Sequence, residues 1–227
     1  MRSSSIRIIL IAVIALLSAV VIFILCSGNS EKKFDAGKRL YEKEQYESAV
    51  KLFAELADRG HAGAQTCLGI CYALGQGVEK DEARAVEMFR KAADRGDAKA
   101  QLNLGLCYQE GVGVEKDESE AVKWFRKAAE QGDPGAHISL GLCYAAGRGV
   151  ETDGAEAFRW MKKCTELSDL PPEAVAAAEI NLGIFYLRGT GVKPDQEEAQ
   201  RHFKKAAELD PAMAEENFEI LGGEADL

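Results

Sequence analysis

The stretch LGLCYQEGVGVEKD, residues 104–117, sets Cys107 beside Tyr108 and follows them with a glycine-rich loop. Two chemistries use such parts. Backbone N–H groups of a glycine-rich loop cradle phosphates, and a thiolate attacks carbonyls or binds metals. The phosphate reading fails on spacing and context. A dinucleotide fingerprint needs G-x-G-x-x-G between a strand and a helix. Here Gly111 and Gly113 follow a helical pattern, and the third position is Lys116. Equivalent loops carry Lys80, Thr152 and Pro194 there, and no G-K-[ST] occurs. The glycines read instead as a turn that leaves a helix with positive φ, with Val114 tucked beneath it.

The thiols read as structural too. Cys71, Cys107 and Cys143 recur at one place in successive units. Stacked units would separate them by more than the helix spacing of about 8–10 Å. A disulfide tolerates at most about 7 Å between Cα atoms, and a shared zinc is equally out of reach. Cys67 and Cys71, at i and i+4, could seed a metal site. However, the histidines are only His61, His137 and His202, and none stands at ligand spacing. The expectation is no metal, no cofactor, and cysteines acting as small buried hydrophobes.

These residues are positioned by a repeat. LGICYALGQGVEKDEARAVEMFRKAADRGD covers 68–97, and LGLCYQEGVGVEKDESEAVKWFRKAAEQGD covers 104–133. LGLCYAAGRGVETDGAEAFRWMKKCTELSD covers 140–169, and LGIFYLRGTGVKPDQEEAQRHFKKAAELD covers 182–210. Gly69, Gly105 and Gly141 are 36 residues apart; Gly183 follows after 42, so six extra residues lie around Pro171 and Pro172. Such self-similarity marks a solenoid of helical hairpins. Ala100, Leu104 and Tyr108 give helix A its apolar face, and Ala121, Phe125, Ala128 and Ala129 give helix B its own. Gly105 is small where the two would approach. Asp81, Asp117, Asp153 and Asp195 stand at the expected N-caps of helix B, with Glu120, Glu156 and Glu198 completing capping boxes. Gly96 and Gly132 follow helix B where a left-handed residue belongs.

The recurrence in phase of A-x-Q-x-x-L-G-x-x-Y, G-x-G-V, the Asp and A-x-x-x-F-x-x-A-A over 62–210 resembles the Sel-one-like repeat, a tetratricopeptide-like family. Residues 34–60, with Gly37, Tyr46, Ala49 and Phe53, are similar to a related unit with a shorter loop. Cys164 and Thr165 depart from the pattern by replacing the alanine pair. The resemblance implies an all-α fold: a right-handed α/α superhelical solenoid of about five helix-turn-helix repeats. The expected layout is an N-terminal segment and anchor (1–30), a tetratricopeptide-like repeat (31–61), then Sel-one-like repeats at 62–97, 98–133, 134–172 and 173–210. A capping helix and polar tail would fill 211–227. It also implies a concave wall lined by helix A, on which a protein or peptide partner would dock. The residues nearest that wall are Thr66, Ile70, Leu102, Leu106, Ile138, Leu142, Ile180 and Ile184. Two readings of this apolar set stand: packing on the next helix A, or a groove for a partner helix or extended peptide. Cysteine-rich members of the family have been described as β-lactamases. S-x-x-K occurs at Ser30–Lys33, in an expected linker, and at Ser48–Lys51, on a repeat helix, but S-D-N and K-T-G are absent. No enzyme is expected. An envelope structural or polymer-binding role is the alternative, and it would require a polar, aromatic-lined groove.

The formal net charge is −9 and no basic stripe stands out, so nucleic acid is excluded as a partner. Residues 8–26, IILIAVIALLSAVVIFILC, carry no charge, and fourteen of the nineteen are Ile, Leu, Val or Phe. At a few tenths of a kcal/mol each, these favour insertion by about 4–8 kcal/mol. The run is long for a cleaved signal and no A-x-A site follows it, so it reads as a single transmembrane helix in the cell membrane. Arg2 and Arg7 precede it, and Lys32, Lys33, Lys38 and Arg39 follow it, so charge alone does not orient it. A very short basic N-terminus favours an extracytoplasmic repeat domain.

Overall fold

A computed structural model describes residues 28–168 and 170–212 of the 227. The expected membrane span at 8–26 lies outside the described residues, as does nearly all of the expected capping segment. Among the described residues no helix is long and apolar enough to cross a membrane, and none of the backbone is strand.

The helices are α1 (28–42), α2 (Tyr46–Asp58), α3 (Ala62–Leu74), α4 (Glu82–Ala93) and α5 (Ala98–Glu110). They continue as α6 (Glu118–Glu130), α7 (Pro134–Ala146), α8 (Gly154–Glu166), α9 (Pro172–Arg188) and α10 (Gln196–Leu209). The chain divides into two compact units, Met1–Asp81 and Glu82–Leu227. In the first, α2 packs on α1 and on α3; in the second, each helix from α4 to α9 packs on the one that follows it. Odd-numbered helices are the A helices of the repeat and even-numbered ones the B helices.

The two helix types differ in how they bury surface. B helices are strictly amphipathic: α6 buries Ala121, Val122, Phe125, Ala128 and Ala129 and exposes Lys123, Lys127 and Glu130. The A helices α3, α5 and α7 carry few charges (α7 has no acidic or basic residue besides His137), because neighbours cover much of their surface. The glycine of helix A sets the closest approach within a hairpin. A Cβ on Gly105 would lie 2.5 Å from Phe125 Cε1, and one on Gly183 would lie 2.5 Å from Phe203 Cε1. Both rings are buried, as is Phe53 in the first unit, which meets Gly37 in the same way.

The G-x-G loop has two separate jobs. The first glycine caps helix A: Gly111 has φ 74° and donates its N–H to the Cys107 carbonyl. The second makes the joint to the preceding repeat. Gly113 has φ 67°, and a Cβ there would lie 2.2 Å from the Glu82 carbonyl oxygen at the start of α4. Gly149 meets Glu118 at 2.1 Å in the same way.

Asp117, Asp153 and Asp195 cap α6, α8 and α10, accepting from the N–H of Glu120, Glu156 and Glu198. The expected capping boxes are not closed, however. The N–H of each capping aspartate donates to a helix-A tyrosine carbonyl, from Tyr108, Tyr144 and Tyr186 respectively. With that donor taken, Glu120, Glu156 and Glu198 turn outward to Lys123, Arg159 and Arg201. A helices are capped likewise by Asp97 and Asp133, and α3 by His61 Nδ1. Most of the six-residue insertion becomes helix: α9 has 17 residues against 13 in α7, an extra turn at its start. Cys164, one of the departures from the repeat, is fully buried with its Sγ 3.6 Å from the Pro134 carbonyl.

Candidate functional site

The residues expected to line the wall fall in both units. In the second unit, Leu106 is 39% and Leu142 is 44% exposed, at the same position on α5 and α7. Leu102 and Ile138, one turn earlier, are half-buried: Leu102 lies under α7, where a Cβ on Gly135 would stand 2.8 Å from its Cδ2. Ile138 packs on the Met161–Leu182–Phe185 cluster. Ile184 is half-buried against the Phe203 cluster, and Ile180 is inside it at 4% exposure. In the first unit Thr66 is 4% exposed and spends its hydroxyl on the Ala62 carbonyl, while Ile70 is half-buried. Thr66 and Ile180 are therefore core residues, and the accessible apolar groups of the set are led by Leu106 and Leu142. The set therefore divides by depth, with some members packed inside and others left exposed.

A second, buried feature escaped the sequence reading. Gln65, Gln101, His137 and Glu179 occupy one position of successive A helices, and all are at least 95% buried. Gln65 and Gln101 donate their amides to the carbonyls of Ala57 and Ala93 on the preceding B helix. His137 lies edge-on to Trp160. Glu179 cannot donate. It accepts instead from His202 Nδ1 at 2.5 Å and from Lys205 Nζ at 2.6 Å, with the His202 ring stacked on Tyr186. Burial alone would push the Glu179 carboxyl up, but these hydrogen bonds outweigh it and hold the group below its ordinary range. The signal was present in the repeat itself, as an acid at a position that other repeats fill with glutamine or histidine.

The cysteines beyond the apolar run are reduced thiols. Cys71, Cys143 and Cys164 are buried, which pushes each up to about 11. Cys67 and Cys107 are only half-buried, less than their place on helix A suggested. At pH 8 a thiol at about 11 is ionised roughly a hundredfold less than an ordinary one. Iodoacetamide should accordingly modify Cys71, Cys143 and Cys164 at least about a hundredfold more slowly in the native protein than in urea, where all five react without reductant. Mass spectrometry showing Cys143 labelled equally fast in both states would refute the packing described.

Among the described residues no group of His, Cys, Asp or Glu converges as a metal site. The S-x-x-K pairs sit on helices, both of them. Ser30–Lys33 belongs to α1 rather than to a linker, and Lys33 pairs with Glu55; Ser48 and Lys51 are exposed on α2.

Comparison with known proteins agrees with this geometry. A Sel1 repeat protein of Oxalobacter formigenes is 39% identical, with 80% of this chain and 71% of that one covered and a TM-score of 0.71. A protective antigen of uropathogenic Escherichia coli, displaying an SLR fold, is 32% identical with a TM-score of 0.70. That match covers 83% of this chain but 40% of the antigen. A sel1 repeat protein of Klebsiella pneumoniae, at 19% identity with coverages of 85% and 93% and a TM-score of 0.55, shares the fold alone. No protein of curated function matches. The Sel1 repeat profile matches residues 36–61, 62–97, 98–133, 134–169 and 176–211, and with the hairpins, caps and glycine joints in place the chain belongs to the Sel1 repeat family.

Proposed function

We propose that this protein is a membrane-anchored, non-enzymatic interaction scaffold that binds a partner helix or extended peptide on the helix-A face of its repeats. Repeats of this type bind protein or peptide partners. The observation that carries the reading is the exposure of Leu106 and Leu142 at equivalent positions of adjacent repeats. Apolar side chains kept in water on a regular surface favour a partner that removes them from it. The large apolar residues exposed there are aliphatic, which favours a peptide over an envelope polymer. The uncharged run at 8–26 supports the tether and a cell-membrane location, and the very short basic N-terminus before it favours repeats on the extracytoplasmic side.

The test uses full-length protein as bait. It should stay in the membrane fraction through a carbonate wash, and release by the wash would remove the anchor from the proposal. In affinity capture followed by mass spectrometry, Leu106→Glu should lose the partner taken by wild type, because a carboxylate is not desolvated cheaply against an apolar ligand. Its stability should stay within about 1 kcal/mol of wild type, since the site is exposed. Normal capture by a folded Leu106→Glu variant would sink the docking reading.

A further inference from the structure

We infer that the first unit contains an anchor pocket for one bulky apolar side chain of a partner peptide. The site is a cavity of about 140 Å³ lined by Lys38, Tyr41 and Glu42 of α1, Phe53 of α2, and Cys67 and Ile70 of α3. The inference rests on the helix-A face being the partner-binding face, and it adds a defined subsite to that face.

The cavity has a cause in the sequence. Lys38 follows Gly37 as Ile70 follows Gly69, Leu106 follows Gly105 and Leu142 follows Gly141. The one A helix with a charged residue there is the one beside the cavity. Lys38 does not fold into it: its ammonium is held by Asp35 at 2.9 Å and lies 4.9 Å from the Phe34 ring centre. The walls are fixed by contacts made elsewhere. Gly37 presses on Phe53, and Tyr41 is tied through its hydroxyl to Gln76 and set edge-on to Tyr46 at 5.1 Å. A pocket whose walls are already ordered loses little entropy on filling.

Size and polarity select the ligand. An apolar cavity of about 150 Å³ is large enough for benzene. Phe53, Ile70, Cys67 and the ring of Tyr41 make the interior apolar. Lys38 and Glu42, both exposed, place polar groups at the mouth. With its ammonium already paired with Asp35, Lys38 is not left for a free anion, and the apolar interior suits the apolar side chain of a peptide.

Cys67 is the built-in reporter. N-acetylphenylalaninamide, added to full-length protein during iodoacetamide labelling, should slow modification of Cys67 saturably, by about fivefold or more at saturation. Cys107, half-buried in the other unit, should be unaffected. N-acetylalaninamide should protect poorly, and Ile70→Ala, which removes one wall, should raise the half-protecting concentration about tenfold. Non-saturable protection, equal protection by both amides, or a folded Ile70→Ala variant protected as wild type would overturn the pocket. The wild-type series decides the matter even where the variant fails to fold. Leu106→Glu lies in the second unit and should leave Cys67 protection intact. Loss of capture by Leu106→Glu without any Cys67 protection would therefore remove the pocket and leave the proposed function. Protection of Cys67 with undiminished capture would do the reverse.

Discussion

Removing both nitrogen donors from Glu179, in a His202→Leu, Lys205→Met variant, should cost about 3–5 kcal/mol of folding free energy at pH 7. The carboxylate is 1% exposed, and His202 and Lys205 of α10 supply the hydrogen bonds that stabilise its charge. From α8 the Cys164 thiol lies within its electrostatic reach, and that thiol, pushed up to about 11, offers no compensating charge. The sign of the pH dependence makes the test sharp. In the wild type the folded carboxyl is held low, so its stabilisation is fully present above the unfolded value of about 4.3 and is lost as pH falls below it. In the variant, burial acts alone and the folded carboxyl rises above its unfolded value. The variant should then gain stability as pH falls from 7 towards 5, a range over which this group leaves the wild type unchanged. Adding Glu179→Gln should recover much of the loss at pH 7, because glutamine fills the same position at Gln65 and Gln101. Urea denaturation at the two pH values gives the answer. A variant that loses less than about 1 kcal/mol, or whose stability does not rise on acidification, would show that the carboxylate is not buried as described.

Glu179 also shows where the sequence stopped being legible. Features whose cause lies within one turn or one repeat were readable: the paired helices, the aspartate caps, the left-handed glycines and the small Gly105 where two helices approach. Each follows from local backbone geometry or from contact between adjacent helices. Features that depend on a particular distant side chain were not. Glu179 reads as another solvated acid until His202 and Lys205, more than twenty residues on, are seen beside it. The capping boxes failed for a similar reason, because the donor that Glu120 needs is claimed by the Tyr108 carbonyl across the hairpin. The wall residues divided on the same principle. Helical phase placed Leu106 and Ile180 on corresponding faces, but depth depends on neighbours, and the Phe203 cluster closes over Ile180 while leaving Leu106 in water.

The glycines give the second large effect, and one graded series separates the two jobs of the loop. Gly96→Ala introduces a left-handed alanine with open space around it, φ 89° and no atom within 4 Å, so it should cost only the backbone strain of about 1–2 kcal/mol. Gly111→Ala adds a contact, 3.2 Å from Lys116 Cβ, that a shift of a few tenths of an ångström in the exposed loop relieves; it should cost little more. Gly113→Ala differs in kind. Its methyl would stand 2.2 Å from the carbonyl oxygen of Glu82, 2.5 Å from that carbonyl carbon and 3.0 Å from the Ala83 nitrogen. These are backbone atoms of the first turn of α4, and they cannot move without displacing the helix. The strain is therefore joined by the opening of the joint between two repeats, and the loss should exceed about 4 kcal/mol, beyond the usual range for one methyl group. Denaturation of the three variants should rank them Gly96, Gly111, Gly113 in rising cost. Were Gly113→Ala no worse than Gly111→Ala, the second glycine would be a turn residue like the first, and the stacking of repeats through this loop would be wrong.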